Sequence, residues 1–498
     1  MTRAFNTRIV FRTQGALLLI EAVFMAFALM VSWWNNDYDE GAFLVSTVLT
    51  ATAGFIGLAI GHDAPRQVGE REGYVIVALV WLVFSAFGML PYYLSGQIPT
   101  ITDAWFETMS GFTTTGATVV TNIEQMTHGA LFWRSMTQWL GGMGIIVLSI
   151  AILPMFGLGG MQLYAAEVTG LQYEKLSPRI ADTAKHLWIT YIILTLAEAG
   201  LLYTEGMTLF DAICHALTTV ATGGFSTKNL GVAYYYSNPA IAYTIGIFMV
   251  LSSINFAMII LLFRGKPQRL LHDEETHWFI GAVVFITLIM TIGLTVQRAL
   301  LLPDANMMAV LKCVEPSFRE GFFTTVATMT STGYSYADYM QWAPFLWGMV
   351  FFLMFTGGSS GSTAGGVKWI RIAIFAKSGL AEFQRRIHPN AIVPVKINHQ
   401  PISQQTTNNV MAFMLFYVMI LAVSILVFCA MGVDFVESIG TAVSCMGNIG
   451  PCLGQYGPAG TFAAFPTAGK WMMTLVMLIG RLEIFTVLLL FTKALWKK

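Results

Sequence analysis

Four times along this chain an acidic residue opens a segment of mostly apolar, small and hydroxyl side chains, and each time a glycine stands 13 positions after the acid. The segments are DAWFETMSGFTTTGAT (103–118), DAICHALTTVATGGFS (211–226), EGFFTTVATMTSTGYS (320–335) and ESIGTAVSCMGNIGPC (437–452). Their acids are Asp103, Asp211, Glu320 and Glu437; their glycines are Gly116, Gly224, Gly333 and Gly450, spaced 108, 109 and 117 residues apart. Self-similarity at a fixed period marks one structural unit built several times over. Each segment is too short to cross a bilayer, which takes about 20 apolar residues. Each is nevertheless flanked by runs that are long enough. A short apolar segment in that setting reads as a re-entrant element, a half-helix that enters the membrane and returns as extended backbone. Non-helical backbone at membrane depth is tolerated only where protein buries it or where it lines a watery path.

The composition agrees with a membrane setting. Of 498 residues, 56% are hydrophobic and 11% charged, and the mean hydropathy is +0.65. That excludes an ordinary soluble protein. Lys+Arg and Asp+Glu balance at 27 each, so nothing points to a nucleic-acid partner. The five cysteines have no metal-ligand spacing and read as packing residues. The first apolar run follows Arg3, Arg8 and Arg12 but is long and lacks a small-residue cleavage site, so it reads as a retained membrane helix.

In chain order, two helices are expected at about 14–34 and 42–61, within a leading region 1–73. Four units follow at 74–157, 186–264, 277–386 and 406–498. Each holds an outer helix, the short segment and an inner helix. The outer helices are expected at about 74–95, 186–204, 277–301 and 409–431, and the inner ones at 130–156, 239–263, from 343 onward, and 470–495. The expected fold is an all-α polytopic membrane protein. It has ten spanning helices and four half-helices, with four tandem helix–pore-loop–helix units around a pseudo-fourfold pore.

Charge asymmetry sets an orientation. Lys and Arg are absent from 74–132 and 432–469, and 203–240 holds only Lys228. They cluster on the other side, at Lys175, Arg179 and Lys185, at Arg264, Lys266 and Arg269, between Lys368 and Arg386, and at Lys493, Lys497 and Lys498. The positive-inside rule then places both termini in the cytoplasm and brings the short segments in from outside. The third unit fits least well, because Arg298, Lys312 and Arg319 lie on its outer side.

This pattern suits a cation. An acid in the first turn complements the positive end of a helix, so the four acids read either as helix caps or as stabilisers of half-helices that converge near the membrane centre. Four converging C-terminal ends favour a cation between them. Glycine permits positive φ, which lets successive carbonyls face inward, and rings of carbonyls can replace the hydration shell of K⁺. The expected ion-binding residues are Thr114, Thr115 and Gly116; Thr222, Gly223 and Gly224; Ser331, Thr332 and Gly333; and Asn448, Ile449 and Gly450. Small hydroxyls just before the glycines are expected to add oxygen ligands. The fourth copy departs from the others, since Asn448-Ile449 lacks the hydroxyls and Pro451 removes a backbone donor.

The third inner helix runs into Gly357-Gly358-Ser359-Ser360-Gly361-Ser362-Thr363-Ala364-Gly365-Gly366. Glycine costs a helix roughly 1 kcal/mol per residue relative to alanine, so the helix is expected to break there. A broken helix at membrane depth marks a transport site or gate. The stretch is read as a loop under the filter that obstructs the path until it moves; a flexible cytoplasmic linker is the plainer alternative. A phosphate-binding loop is excluded, because Val367 stands where lysine is required. Arg481 is placed inside the last helix, where a charge costs roughly 2.5–3.5 kcal/mol, and is expected to face the bundle interior; an ion pair with Glu483 is the alternative.

These residues resemble the Trk/Ktr/HKT superfamily of potassium transporters. TTTGAT, TGGFS, STGYS and GNIGP are similar to its four filter sequences, QWLGGMGIIVLSIAILP (138–154) resembles its first inner helix, and GGSSGSTAGGVK (357–368) its interrupted third one. The two leading helices resemble the TrkH/TrkG branch. The resemblance implies K⁺ uptake across the bacterial inner membrane and a homodimer. It implies a cytosolic nucleotide-binding regulatory subunit resembling TrkA, with no nucleotide bound by this chain, and contact between Arg481 and the gating loop. A sodium- or proton-coupled secondary transporter for K⁺ or another small solute is the competing function; such transporters are usually built from inverted repeats. An enzyme is disfavoured, for no paired carboxylates, Ser–His set or metal cluster falls at membrane depth.

Overall fold

A computed structural model describes residues 5–64, 69–142, 144, 180–302 and 307–496. The expected helix at 130–156 is described only to 142 and at 144. Lys175, Arg179, Lys497 and Lys498 lie outside the described residues.

The first helix, Thr7–Asn35, runs further than the apolar pattern suggested, and the second, Glu40–Ile60, begins two residues earlier than expected and ends one residue earlier. The extra turn of the first is supported by Asn6, whose side chain accepts from Arg8 N and Ile9 N. The two pack closely because Gly15, Gly54 and Gly57 lie between them; a Cβ on Gly15 would come within 3.0 Å of Gly54 O and Leu58 N.

Six described helices are long and apolar enough to cross a membrane, and eight spans result if each of two bent pairs counts as one. Their outward faces carry exposed apolar residues such as Phe285, Ile292, Leu415 and Val418. Large side chains, among them Trp81, Phe84, Phe106, Phe112 and Trp133, fill the interior. Apolar residues outside as well as inside are what a bilayer demands of a span, and the chain is a multi-pass membrane protein.

Two inner helices depart from the continuous form expected of them, while the third breaks at the glycine-rich stretch as expected. The second is two helices, Pro239–Ser253 and Phe256–Phe263, meeting at 104°. Asn255 caps the second of these by accepting from Ala257 N at 2.8 Å. The fourth is likewise divided, into Thr467–Arg481 and Ile484–Leu490, meeting at 115°, with Glu483 between them at φ 57°. Arg481 therefore stands in the last turn of a helix rather than at the middle of one. The third stops at Leu353 and resumes at Trp369, with the glycine-rich stretch between.

The four repeated segments are helical up to the residues before their glycines. The helices are Ile101–Phe112, Leu209–Val220, the end of Met307–Met329, and Phe435–Gly447. Thr100 and Thr208 cap the first two through Asp103 N and Asp211 N, each at 3.1 Å. The third corrects the expectation of a short half-helix opening at Glu320. Its helix begins at Met307, passes through Pro316, and places Glu320 well past the first turn. Lys312, Glu315 and Arg319 lie on its outer turns, which need no apolar run where they clear the membrane. None of the four acids serves only the helix dipole. Asp103 pairs with Lys470 at 2.6 Å, Asp211 with Lys228 at 3.2 Å and Glu320 with Arg298 at 2.6 Å, while Glu437 accepts from Gln455 Nε2 at 2.9 Å.

Candidate functional site

The four segments share a backbone signature that residue type alone does not announce. Gly116, Gly224, Gly333 and Gly450 have φ of 79°, 78°, 70° and 102°. Two residues before each glycine, Thr114, Thr222, Ser331 and Asn448 all have φ of 53°. Left-handed backbone costs an L-residue about 1–2 kcal/mol, and β-branched threonine is the least suited to it. The same strain in all four copies requires the surroundings to hold it.

The surroundings include the neighbouring segment. A Cβ on Gly116 would collide with Gly223 O, on Gly224 with Thr332 O, on Gly333 with Ile449 O, and on Gly450 with Thr115 O. The contacts run from the first copy to the second, third and fourth, and back to the first. Four segments separated by about a hundred residues thus form a closed cycle. Each glycine lies against the carbonyl that precedes the next glycine in the ring.

The hydroxyls have a different first use from the one expected. Thr115 Oγ1 lies 2.8 Å from Thr113 Oγ1, and Thr332 Oγ1 lies 2.8 Å from Thr330 Oγ1. Asn448 takes the place of a hydroxyl in the fourth copy and donates through Nδ2 to Thr115 Oγ1 and Met477 O, both at 3.0 Å. These groups hold the extended backbone in place.

Two supports escaped the sequence reading. Gln138, fully buried, donates to Gly223 O at 2.6 Å and accepts from Phe225 N at 3.0 Å, bracing the second segment on both sides of Gly224. Glu107 and Arg134, 0% and 2% exposed, pair at 2.7 Å. Glu107 also accepts from Val119 N at 2.9 Å, and Arg134 donates to Ser226 O at 3.0 Å, joining the strands of segments one and two. A second acid within the first segment and a lone arginine on the next helix were the available signals. Breaking a buried pair from one side costs about 3–5 kcal/mol, so Arg134→Ala is expected to lower the thermal midpoint sharply, read by melting in detergent. Gln138→Leu strands one carbonyl and one N–H at about 1–3 kcal/mol each, and is expected to give a loss of similar size in the same measurement.

The glycine-rich stretch, for which a flexible cytoplasmic linker was the alternative, is a largely buried loop lying against the ring, with Gly361 exposed. Its ends are tied together by Gly357 N to Val367 O at 2.9 Å and Val367 N to Phe355 O at 3.3 Å. Ser359, Thr363 and Ala364 are 0%, 2% and 3% exposed. Thr363 Oγ1 donates to Val220 O, at the end of the second short helix, and to Ser252 O, each at 3.1 Å. Gly365 N donates to Ser331 Oγ at 2.6 Å, and Gly365 packs against Gly447 O and Asn448. Ser359 N donates to Ser253 O at 2.8 Å, and Phe256 N to Gly361 O at 3.1 Å, so both sides of the bend at Asn255 grip the loop. Gly358, Ser360, Ser362 and Gly366 complete it; Ser362 Oγ turns back onto Ser359 O at 2.6 Å.

Arg481 joins loop and ring. Its guanidinium donates to Thr363 O at 2.8 Å in the loop, to Thr114 Oγ1 at 3.0 Å in the first segment, and to Gly141 O and Gly142 O at 2.6 and 2.9 Å. Arg481 thus faces the interior, as expected of a charge in the last helix. Glu483, past the bend, takes Arg371 as an ion-pair partner. Three of the four strained residues thus hydrogen-bond to the loop or its arginine, Thr114 through Arg481, Thr222 through Thr363 Oγ1 at 3.4 Å, and Ser331 through Gly365 N, and the fourth, Asn448, packs against Gly365.

Known proteins place this architecture. Residues 45–498 match the family model TrkH, described as a cation transport protein. The Trk system potassium uptake protein TrkH of Escherichia coli (strain K12) is 39% identical over 455 residues, which cover 89% of this chain and 91% of that protein. The TrkH of Halomonas elongata is 37% identical over 495 residues, 99% of this chain and 100% of that one. The crystal structure of the potassium transporter TrkH from Vibrio parahaemolyticus superposes with a TM-score of 0.85 at 32% identity, covering 99% of this chain and 100% of that one. The chain belongs to the TrkH family of cation transport proteins, and it is a transporter rather than an enzyme.

Proposed function

We propose that this chain is the pore-forming subunit of a potassium uptake system, with the four-segment ring as its selectivity filter and the 357–366 loop as its gate. The closed cycle of glycines and carbonyls carries the reading. Left-handed residues at alternate positions, 114 and 116 and their three equivalents, turn successive carbonyls to one side of the backbone. Four such stretches supply rings of oxygen atoms that suit a dehydrated monovalent cation. The C-terminal ends of the four short helices add their negative dipole ends. The filter residues are Thr114–Gly116, Thr222–Gly224, Ser331–Gly333 and Asn448–Gly450. K⁺ is favoured as the cargo because the relatives are named for potassium uptake.

The loop contacts segments two, three and four directly and segment one through Arg481, so it obstructs the path until it is displaced. Both termini and the cationic clusters lie in the cytoplasm, and ions enter from the opposite face of the bacterial inner membrane. A homodimer and a cytosolic nucleotide-binding subunit resembling TrkA complete the system, and the regulator acts by moving the loop.

The test is ⁸⁶Rb⁺ uptake into vesicles reconstituted with the purified chain, with Na⁺ as competitor. Saturable Rb⁺ flux that excess Na⁺ barely inhibits is expected. Uptake of an organic solute without Rb⁺ flux overturns the reading, and Rb⁺ flux that collapses when a proton or sodium gradient is removed assigns the chain to coupled transport instead.

A further inference from the structure

Arg481 holds the loop by one carbonyl, but the loop is also held from its other side by an anion. Glu275 is the second residue of the outer helix Glu274–Leu300 and is 1% exposed. Its Oε1 accepts from Ser360 N at 2.7 Å and from Ile370 N at 3.1 Å. Ser360 lies in the middle of the loop. Ile370 lies in the first turn of the helix Trp369–Ile387, where backbone N–H groups have no partner within the helix. One carboxylate oxygen therefore fastens the loop to the start of the helix that follows it. A negative charge is well placed at a helix N-terminus, and hydrogen bonds to an ionised acceptor are the strong ones.

Cation and anion grip different groups. Arg481 takes the carbonyl of Thr363 and Glu275 takes the N–H of Ser360, three residues earlier. Two cations lie nearby: Arg371 pairs with Glu483, and Lys368, whose Nζ donates to Ala364 O, also interacts electrostatically with Glu275. A loop leaving its seat must give up both anchors. Neither depends on the filter glycines.

We propose that Glu275 is a positioning residue that holds the loop in its obstructing conformation, as the second anchor opposite Arg481. The proposal rests on the reading of 357–366 as a gate. It assigns to the third outer helix the part of a fixed post from which the loop swings.

Glu275→Gln tests it, because the amide keeps the shape and one acceptor oxygen but loses the charge. Two measurements on the full-length protein in vesicles are decisive. Hydrogen exchange over 357–366 is expected to be about tenfold faster in Glu275→Gln, a factor equivalent to about 1.4 kcal/mol, with exchange over 437–450 unchanged. Rb⁺ flux without any regulator is expected to rise several-fold in maximal rate, with KM and the preference for Rb⁺ over Na⁺ unaltered. Glu275→Asp, which retains the charge, should restore most of the closed-state protection. Wild-type exchange in Glu275→Gln overturns the proposal, and so does faster exchange with unaltered flux. If neither the wild-type chain nor Glu275→Gln with its loosened loop passes Rb⁺, the pore reading fails, while the exchange measurement still decides whether Glu275 holds the loop.

Discussion

Gly333→Ala is expected to cost the protein most of its discrimination between K⁺ and Na⁺. Gly333 holds φ at 70°, where an alanine pays about 1–2 kcal/mol in backbone strain. Its new Cβ would collide with Ile449 O and come within 2.9 Å of Pro451 Cδ. Neither neighbour can yield cheaply. Ile449 O belongs to the next segment of the ring, and the proline ring is stiff. The third segment must back away from the fourth, opening one quarter of the oxygen ring. A misplacement worth about 1.4 kcal/mol lowers the preference tenfold, and the combined strain exceeds that figure. The measurement is Rb⁺ uptake against increasing Na⁺, in protein shown by melting to be folded. The control is Gly281→Ala, in the helix Glu274–Leu300, where a Cβ meets nothing within 4 Å; that change should leave selectivity alone. Selectivity intact in Gly333→Ala would remove residues 331–333 from the filter.

Arg481→Gln is expected to raise unregulated flux about tenfold or more, since 1.4 kcal/mol of lost closed-state stability suffices for that factor. Glutamine has two donors in place of five and no charge, so it cannot serve Thr363 O, Thr114 Oγ1, Gly141 O and Gly142 O together. Hydrogen bonds from a charged donor are worth about 1.5–3 kcal/mol each. The contact with Thr363 O is the one that disappears when the loop moves, so its loss biases the loop toward release. The contact with Thr114 belongs to the ring and should survive loop motion. A double-mutant cycle separates the two. Thr114→Val combined with Arg481→Gln should deviate from additivity by more than about 0.5 kcal/mol, whereas unchanged leak and unchanged maximal rate in Arg481→Gln alone would remove this residue from gating.

Much of the candidate site was legible because it is periodic. The 13-residue offset between acid and glycine located all four segments, and the density of glycine at 357–366 located the break. What the pattern misjudged was direction. Hydropathy reports how long an apolar run is and says nothing of where it turns. The apolar sequence 239–263 is continuous, yet the chain turns by 104° at Asn255; the asparagine was visible, and its role as the cap of a new helix was not. The same holds at Glu483, whose left-handed backbone ends the helix at Arg481. The Met307–Met329 helix was misread for the opposite reason. The apolar pattern opens only near Glu320, but a helix that emerges from the membrane can carry Lys312, Glu315 and Pro316 on its outer turns.

The sequence by itself determined the membrane class, the repeat, the positions of the glycines that adopt positive φ, and the place where the third inner helix breaks. These follow from local chemistry: side-chain transfer energies, backbone freedom at glycine, and the cost of glycine within a helix. The tertiary structure alone decided the cyclic order in which each glycine meets the next segment's carbonyl. It also decided the strain at Thr114, Thr222, Ser331 and Asn448, and the convergence of Gln138, Arg481 and Glu275 on groups far away in the chain. Those pairings join residues 85 to 367 positions apart. No local propensity encodes such a contact; it exists only once packing has brought the four segments against one another.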